Sequence, residues 1–114
     1  IRVNACDSIN IKVGKSGGIR EALKIHEEAS RHNIPCMIGG MLESRLALSA
    51  KVHFAYACKG VTYFDMDTCM IGHLEDPIKG GVAFDGYHIS LTNAIGIGAE
   101  VEETFLKNCE RWVV

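Results

Sequence analysis

Short apolar segments alternate with longer amphipathic segments along the first half of the chain, and this order constrains the fold more than any other feature. The apolar segments lie at residues 8–13, 36–39 and 61–64, about 25 residues apart. Their short length and apolar composition are typical of strands. Between them, residues 19–33 and 44–58 carry apolar side chains at helical spacing. Strands that alternate with helices are typical of a parallel sheet with helices packed outside it, so the sequence predicts an α/β fold.

The spacing between the predicted strands is that of the βα units of a barrel. Three strands and two helices do not close a barrel, however, and would leave both edges of the sheet open. We therefore expect an arc of a larger barrel at residues 1–76. The remaining residues, 77–114, are predicted to form a separate C-terminal segment. In that segment the dipeptide Asp85-Gly86 predicts an antiparallel hairpin over 82–91, and a short helix is expected at 100–109.

Composition excludes several classes of protein. The formal net charge of the 114 residues is −2, and lysine and arginine are scattered, so no basic surface for nucleic acid is expected. No apolar run reaches the roughly 18 residues of a membrane helix, and no signal-peptide pattern follows Ile1. Five cysteines at irregular spacing form no C-x-x-C pair, which predicts free thiols in a reducing cytoplasm.

Reactive groups in a parallel barrel lie at the carboxyl ends of the strands. Lys12 follows the first predicted strand, and burial there would disfavour the charged form of its amine and make it usable as a base. A strand-end lysine that extends into solvent is the competing interpretation. The segment from Gly40 to Leu42 follows the second strand. The next residue, Glu43, fits an acid at a helix N-terminus, and its role is left open.

Asp65 and Asp67 follow the third predicted strand. In a continuing strand, residues two apart face the same side, so both carboxylates would share one surface. Two neighbouring negative charges favour a cation between them, either a metal ion or an ammonium group. A polar strand end followed by a helix cap explains the same pattern equally well.

Three segments together resemble the muconate-lactonizing subgroup of the enolase superfamily. Residues 10–19 resemble the stretch around the second catalytic lysine, and residues 36–44 resemble the seventh barrel strand with its loop. Residues 64–67 resemble the Asp-x-Asp motif that, within the subgroup, indicates dipeptide epimerases. The resemblance covers residues 8–100 and implies strands six to eight of a (β/α)7β TIM-like barrel. It also implies that the hairpin packs on a capping domain that this chain does not contain.

The resemblance also implies a mechanism. Two lysines on opposite faces of the substrate exchange its α-proton, and Mg²⁺ stabilises the enediolate formed in between. Lys12 matches one of these bases, whereas Asp65 and Asp67 match the residues that hold the α-ammonium group of a dipeptide. Gly40, Met41 and Leu42 match the loop that lines the side-chain pocket.

Other parts of the implied site have no counterpart in this sequence. The opposite-face Lys-x-Lys motif, the three carboxylate ligands for Mg²⁺ and the N-terminal capping domain would all lie upstream, so no metal ligand is assigned here. The chain alone is therefore expected to be inactive. The alternatives are an N-acylamino acid racemase, an o-succinylbenzoate synthase or a muconate cycloisomerase of the same superfamily, and a non-catalytic truncated or interaction fragment. Self-association and the preferred dipeptide are left open.

Overall fold

Residues 2–112 are described by a computed structural model, and they form seven strands and five helices. The strands are β1 (Ile9–Ile11), β2 (Cys36–Ile38), β3 (Val61–Phe64), β4 (Ile78–Gly80), β5 (Ala83–Asp85), β6 (His88–Ser90) and β7 (Ala99–Val101). The helices are α1 (Val13–Ser16), α2 (Ile19–Arg31), α3 (Arg45–Ala57), α4 (Thr68–Ile71) and α5 (Glu103–Lys107).

The first three strands form a parallel sheet in the order β1-β2-β3, which confirms the α/β prediction. In register, Ile11 lies beside Ile38, and Ile38 lies beside Phe64. Parallel neighbours require a crossover connection, and α2 and α3 supply the two crossovers. The carboxyl ends of all three strands therefore meet at one edge of the sheet.

The helices cover the sheet through one apolar cluster. Ile11 and Ile38 from the strands join Ala22 of α2 and both Leu48 and Val52 of α3. The small alanine side chain allows α2 to approach the strands closely, and removal of this apolar surface from water stabilises the arrangement. On β1 the alternation is clear, since Ile11 is buried and Asn10 is exposed.

The C-terminal segment differs in detail from the prediction. The antiparallel hairpin exists as β5 and β6, but Asp85 pairs with His88, so the two-residue turn is Gly86-Tyr87 and not Asp85-Gly86. Gly86 has a φ of 56°, which suits the first central position of such a turn. The final helix is α5, shorter than predicted.

Residues just before α5 belong to β7, which pairs with β4, a contact that the sequence did not predict. The backbones approach closely where β4 ends, because the amide of Gly81 donates to the carbonyl oxygen of Gly98 at 2.6 Å. A β-carbon at Gly80 would overlap the same oxygen, which explains the glycine there.

All five cysteines are free, which confirms that part of the prediction. Cys36 and Cys58 are buried, and their burial raises the pKa of both thiols. Among residues 2–112, no helix has the length and apolar character needed to cross a bilayer.

Candidate active site

Lys12 lies directly after β1, in extended conformation, as the residue that precedes α1. Its side chain is partly buried, and Nζ donates a hydrogen bond to the carbonyl oxygen of Gly40 at 2.6 Å. The amine is therefore held over the end of the neighbouring strand β2 and does not extend freely into solvent. The short helix α1 was not predicted, and it turns the chain away immediately after the lysine.

Gly40 connects the ends of all three strands. Its amide donates to Oδ2 of Asp65 at 2.9 Å, while its carbonyl oxygen accepts from Lys12. A single peptide segment thus links the amine of the lysine after β1 with a carboxylate after β3. The sequence predicted these three residues as site residues separately, and the structure brings them together.

Asp67 has a different environment from Asp65. The strand does not continue through both residues, because β3 ends at Phe64 and Asp67 adopts helical backbone angles at the start of α4. Asp65 is half-buried and Asp67 is exposed, so the predicted strand alternation is wrong here. Asp67 does occupy the N-cap of α4, but its side chain forms no capping hydrogen bond.

Asp65 and Asp67 are nevertheless both among the residues that line one cavity, of about 340 Å³. Phe84 and Tyr87 of the β5–β6 hairpin line it too. A cavity lined by both acidic and aromatic residues suits a cationic group, since carboxylates pair with an ammonium and aromatic faces attract cations.

Met41 and Leu42 are exposed and lie near different helices. A β-carbon at Gly14 of α1 would be 3.8 Å from Sδ of Met41, so Met41 lies over α1 on the Lys12 side. Leu42 packs so tightly against Gly72 at the end of α4 that a β-carbon there would overlap it. Neither residue lines the cavity that contains the two aspartates.

Sequence reasoning missed Lys51. This lysine lies on α3 between Leu48 and Val52, in the apolar stripe, and only 1% of it is exposed. Its ammonium group donates to the carbonyl oxygen of Gly39 at 2.8 Å and forms an ion pair with Glu43. Glu43 is therefore a partner of Lys51 and not an acid in the first turn of α3. A charged residue within an apolar helical stripe was the available signal.

A metal site is not formed by these residues alone. Within the part of the chain that the structure describes, no three His, Cys, Asp or Glu side chains come together as a metal-binding group. Asp65 and Asp67 provide two carboxylates, and these alone do not complete the octahedral shell of oxygen ligands around Mg²⁺.

Substitution of Gly40 tests how tightly the strand ends are packed. A β-carbon at this position would lie 2.9 Å from both Oδ1 of Asp65 and Cγ2 of Thr68. Gly40→Ala must therefore displace the Asp65 carboxylate, and we expect it to destabilise the protein by about 1–3 kcal/mol in urea denaturation. Gly14→Ala is the matched control, because its β-carbon makes only an ordinary contact with Met41. Equal stability of the two variants would contradict the packing at Gly40.

Comparisons with known proteins agree with one another. The model of a family described as enolase C-terminal domain-like matches residues 1–105. A D-Ala-D/L-Ala epimerase of Cytophaga hutchinsonii is 37% identical over 112 residues, which cover 97% of this chain and 30% of that protein. An N-succinyl-L-Arg/Lys racemase of Bacillus cereus is 34% identical over 94% of this chain and 28% of its own length.

A solved structure supports the same relationship. The dipeptide epimerase of Cytophaga hutchinsonii, crystallised with Mg and the dipeptide D-Ala-L-Val, superposes with a TM-score of 0.88 and 36% identity. The match covers 96% of this chain and 30% of that one. The chain thus spans about 30% of the length of the curated relatives it matches.

Proposed function

Because this chain belongs to the enolase C-terminal domain-like family, we propose that it is part of a dipeptide epimerase and supplies one of its two bases. The observation that carries the proposal is the convergence of Lys12, Gly40 and Asp65 at the carboxyl ends of three parallel strands. This is the edge at which barrel enzymes hold their reactive groups. Lys12 would remove the α-proton of the dipeptide from one face, or return it there.

The two aspartates would bind the free α-ammonium group of the substrate. Asp65 is oriented by the amide of Gly40, and Asp67 is exposed to the shared cavity. A charged hydrogen bond to each carboxylate would hold the α-carbon at a fixed position relative to the base. Gly40, Met41 and Leu42, which follow β2, would line the side-chain pocket.

The uncovered surface of the sheet supports a larger barrel. Tyr63 and Phe64 of β3 are 55% and 58% exposed, although strand residues of this type are usually packed. Further strands beside β3 and β1 would pair the open edges, and the interior and outer helices of a closed barrel would cover the two faces of β3. On this view residues 1–76 form the arc of the barrel, and residues 77–114 lead back toward a capping domain.

Mg²⁺ is part of the proposal for the whole enzyme. The described residues do not offer a complete site for it, so its ligands would be carboxylates outside this chain. Lys12, Asp65 and Asp67 would bind and deprotonate the substrate without serving as metal ligands.

Racemisation of N-succinylated amino acids is the second candidate, because the Bacillus cereus relative carries that name. Such substrates have no free α-ammonium group to pair with Asp65 and Asp67. The cavity that contains two carboxylates therefore favours dipeptides.

The test is an assay of the full-length protein with Mg²⁺. We expect inversion at the α-carbon of free-amino dipeptides, followed by ¹H NMR in ²H₂O, with slower turnover of N-succinylated amino acids. Residues 1–114 alone are expected to be inactive, because the second base and the metal ligands would be missing. Turnover of N-succinylated substrates alone would select the second candidate. Absence of α-proton exchange with either class would overturn the proposed function.

A further inference from the structure

Lys51 is a buried charge with two acceptors. A buried ammonium group is costly unless it is paired and hydrogen-bonded, and Lys51 is both. Its exposed fraction is 1%, and the Glu43 side chain that faces it is 13% exposed. In contrast, the pair of Lys24 and Glu21 on α2 is exposed and solvated.

Both acceptors of Lys51 belong to residues 39–43, which we call the β2 loop. One is the carbonyl oxygen of Gly39, at the start of the loop, and the other is Oε2 of Glu43, at its end. The same Glu43 oxygen accepts a hydrogen bond from the amide of Met41 at 3.1 Å. Lys51 thus fixes both ends of the β2 loop, and through Glu43 it also fixes the middle.

The peptide groups of Gly40 lie between these fixed points. One of them donates to Asp65, and the other accepts from Lys12. Any rotation of the β2 loop would therefore move the acceptor of the base and the donor to the carboxylate at the same time.

We propose that Lys51, paired with Glu43, is a positioning residue that holds the β2 loop in the conformation in which Gly40 orients Lys12 and Asp65. Lys51 does not touch the substrate, and it acts only through the loop. This inference rests on the proposed function for its kinetic consequences, whereas its consequence for the loop backbone does not depend on any activity.

The experiment compares four variants of the full-length enzyme. Lys51→Met keeps most of the side-chain volume but leaves Glu43 without its cation. Lys51→Met combined with Glu43→Gln removes both charges. Glu43→Gln alone keeps an acceptor for Met41, and Lys24→Met is the matched control on an exposed lysine. For each variant, kcat, KM, Tm and the hydrogen exchange of the Gly40 and Met41 amides are measured.

We expect kcat to fall about 10- to 100-fold in both variants that lack Lys51, since small displacements of reacting groups cost that much. Exchange at Gly40 and Met41 should become faster, and Lys24→Met should change neither quantity. Lys51→Met should also lower Tm, because it leaves an unpaired buried carboxylate. The double variant should recover Tm, since loss of a whole buried pair is tolerated far better than loss of one partner. Its kcat should nevertheless remain low.

Recovery of kcat together with Tm in the double variant would overturn the proposal, because the pair would then serve stability alone. If neither Lys51 variant folds, the Glu43→Gln variant provides the test. In that variant, a lower kcat together with faster exchange of the Met41 amide would support the positioning role. Wild-type values of both quantities would overturn it. If the wild-type enzyme shows no α-proton exchange, the proposed function has failed. In that case, faster exchange of the Gly40 and Met41 amides in the Lys51 variants would still support the positioning role. Unchanged exchange would overturn it.

Discussion

Lys12→Ala is expected to lower kcat for dipeptide epimerisation by about 10²- to 10⁴-fold in the full-length enzyme, the range that a positioned general acid or base contributes. The side chain is partly buried after β1, and its amine is held by the carbonyl oxygen of Gly40 at 2.6 Å. Alanine removes both the base and this contact. Epimerisation is measured by NMR, with circular dichroism to confirm the fold.

Two further variants separate proton transfer from the hydrogen bond. Lys12→Arg keeps a cationic donor for Gly40, but a guanidinium group stays protonated and is a poor base. It should therefore be nearly as inactive as Lys12→Ala. Lys15→Ala, on the exposed side of α1, is the matched control and should retain activity.

Solvent isotope exchange gives a sharper result. With two bases, the wild-type enzyme in ²H₂O should place deuterium on the α-carbon of both epimers. Lys12→Ala should still exchange the proton of one epimer, from the face opposite Lys12, without inverting the centre. Wild-type inversion by Lys12→Ala would exclude Lys12 as the base.

Replacement of Asp65 and Asp67 together by asparagine is expected to lower kcat/KM for free-amino dipeptides by about 10²- to 10⁴-fold. Each charged hydrogen bond contributes about 1.5–3 kcal/mol, and the double variant loses the charge of both acceptors. Asparagine keeps the shape of each side chain, so a fall in kcat/KM reports the loss of negative charge. The kinetics are measured in parallel with an N-succinylated amino acid, for which the double variant should lose much less.

The two single variants should differ, because the structure gives the aspartates different surroundings. Asp67 is exposed and forms no capping bond, so Asp67→Asn should raise KM with little change in Tm. Asp65 accepts from the amide of Gly40, so Asp65→Asn should also lower Tm. Asp7→Asn, at an exposed position outside the site, is the control. Unchanged dipeptide turnover in the double variant would rule out the dipeptide epimerase assignment.

The sequence alone determined the order of the first three strands and of the two long helices, α2 and α3, that connect them. The predicted helical segment, 19–33, and the observed α2, Ile19–Arg31, agree closely. Asn33 follows the helix with a φ of 55°, a conformation that asparagine adopts readily at helix ends. Local signals of this kind depend on residues that are close in the sequence, so tertiary contacts change them little. Parallel strands also align their carboxyl ends, which is why Lys12, Gly40 and Asp65 could each be chosen as a site residue in advance.

Contacts between distant residues were decided only by the tertiary structure. The pairing of β4 with β7 joins segments about 20 residues apart, and the sequence shows their glycines only as turn signals. The contacts of Lys51 are a second example, because its acceptor Gly39 lies twelve residues away in the sequence. Neither helical periodicity nor composition identifies the acceptors of this lysine. A buried charge is tolerated only where folding brings its partners together, so its role depends on three-dimensional packing that a linear pattern does not contain.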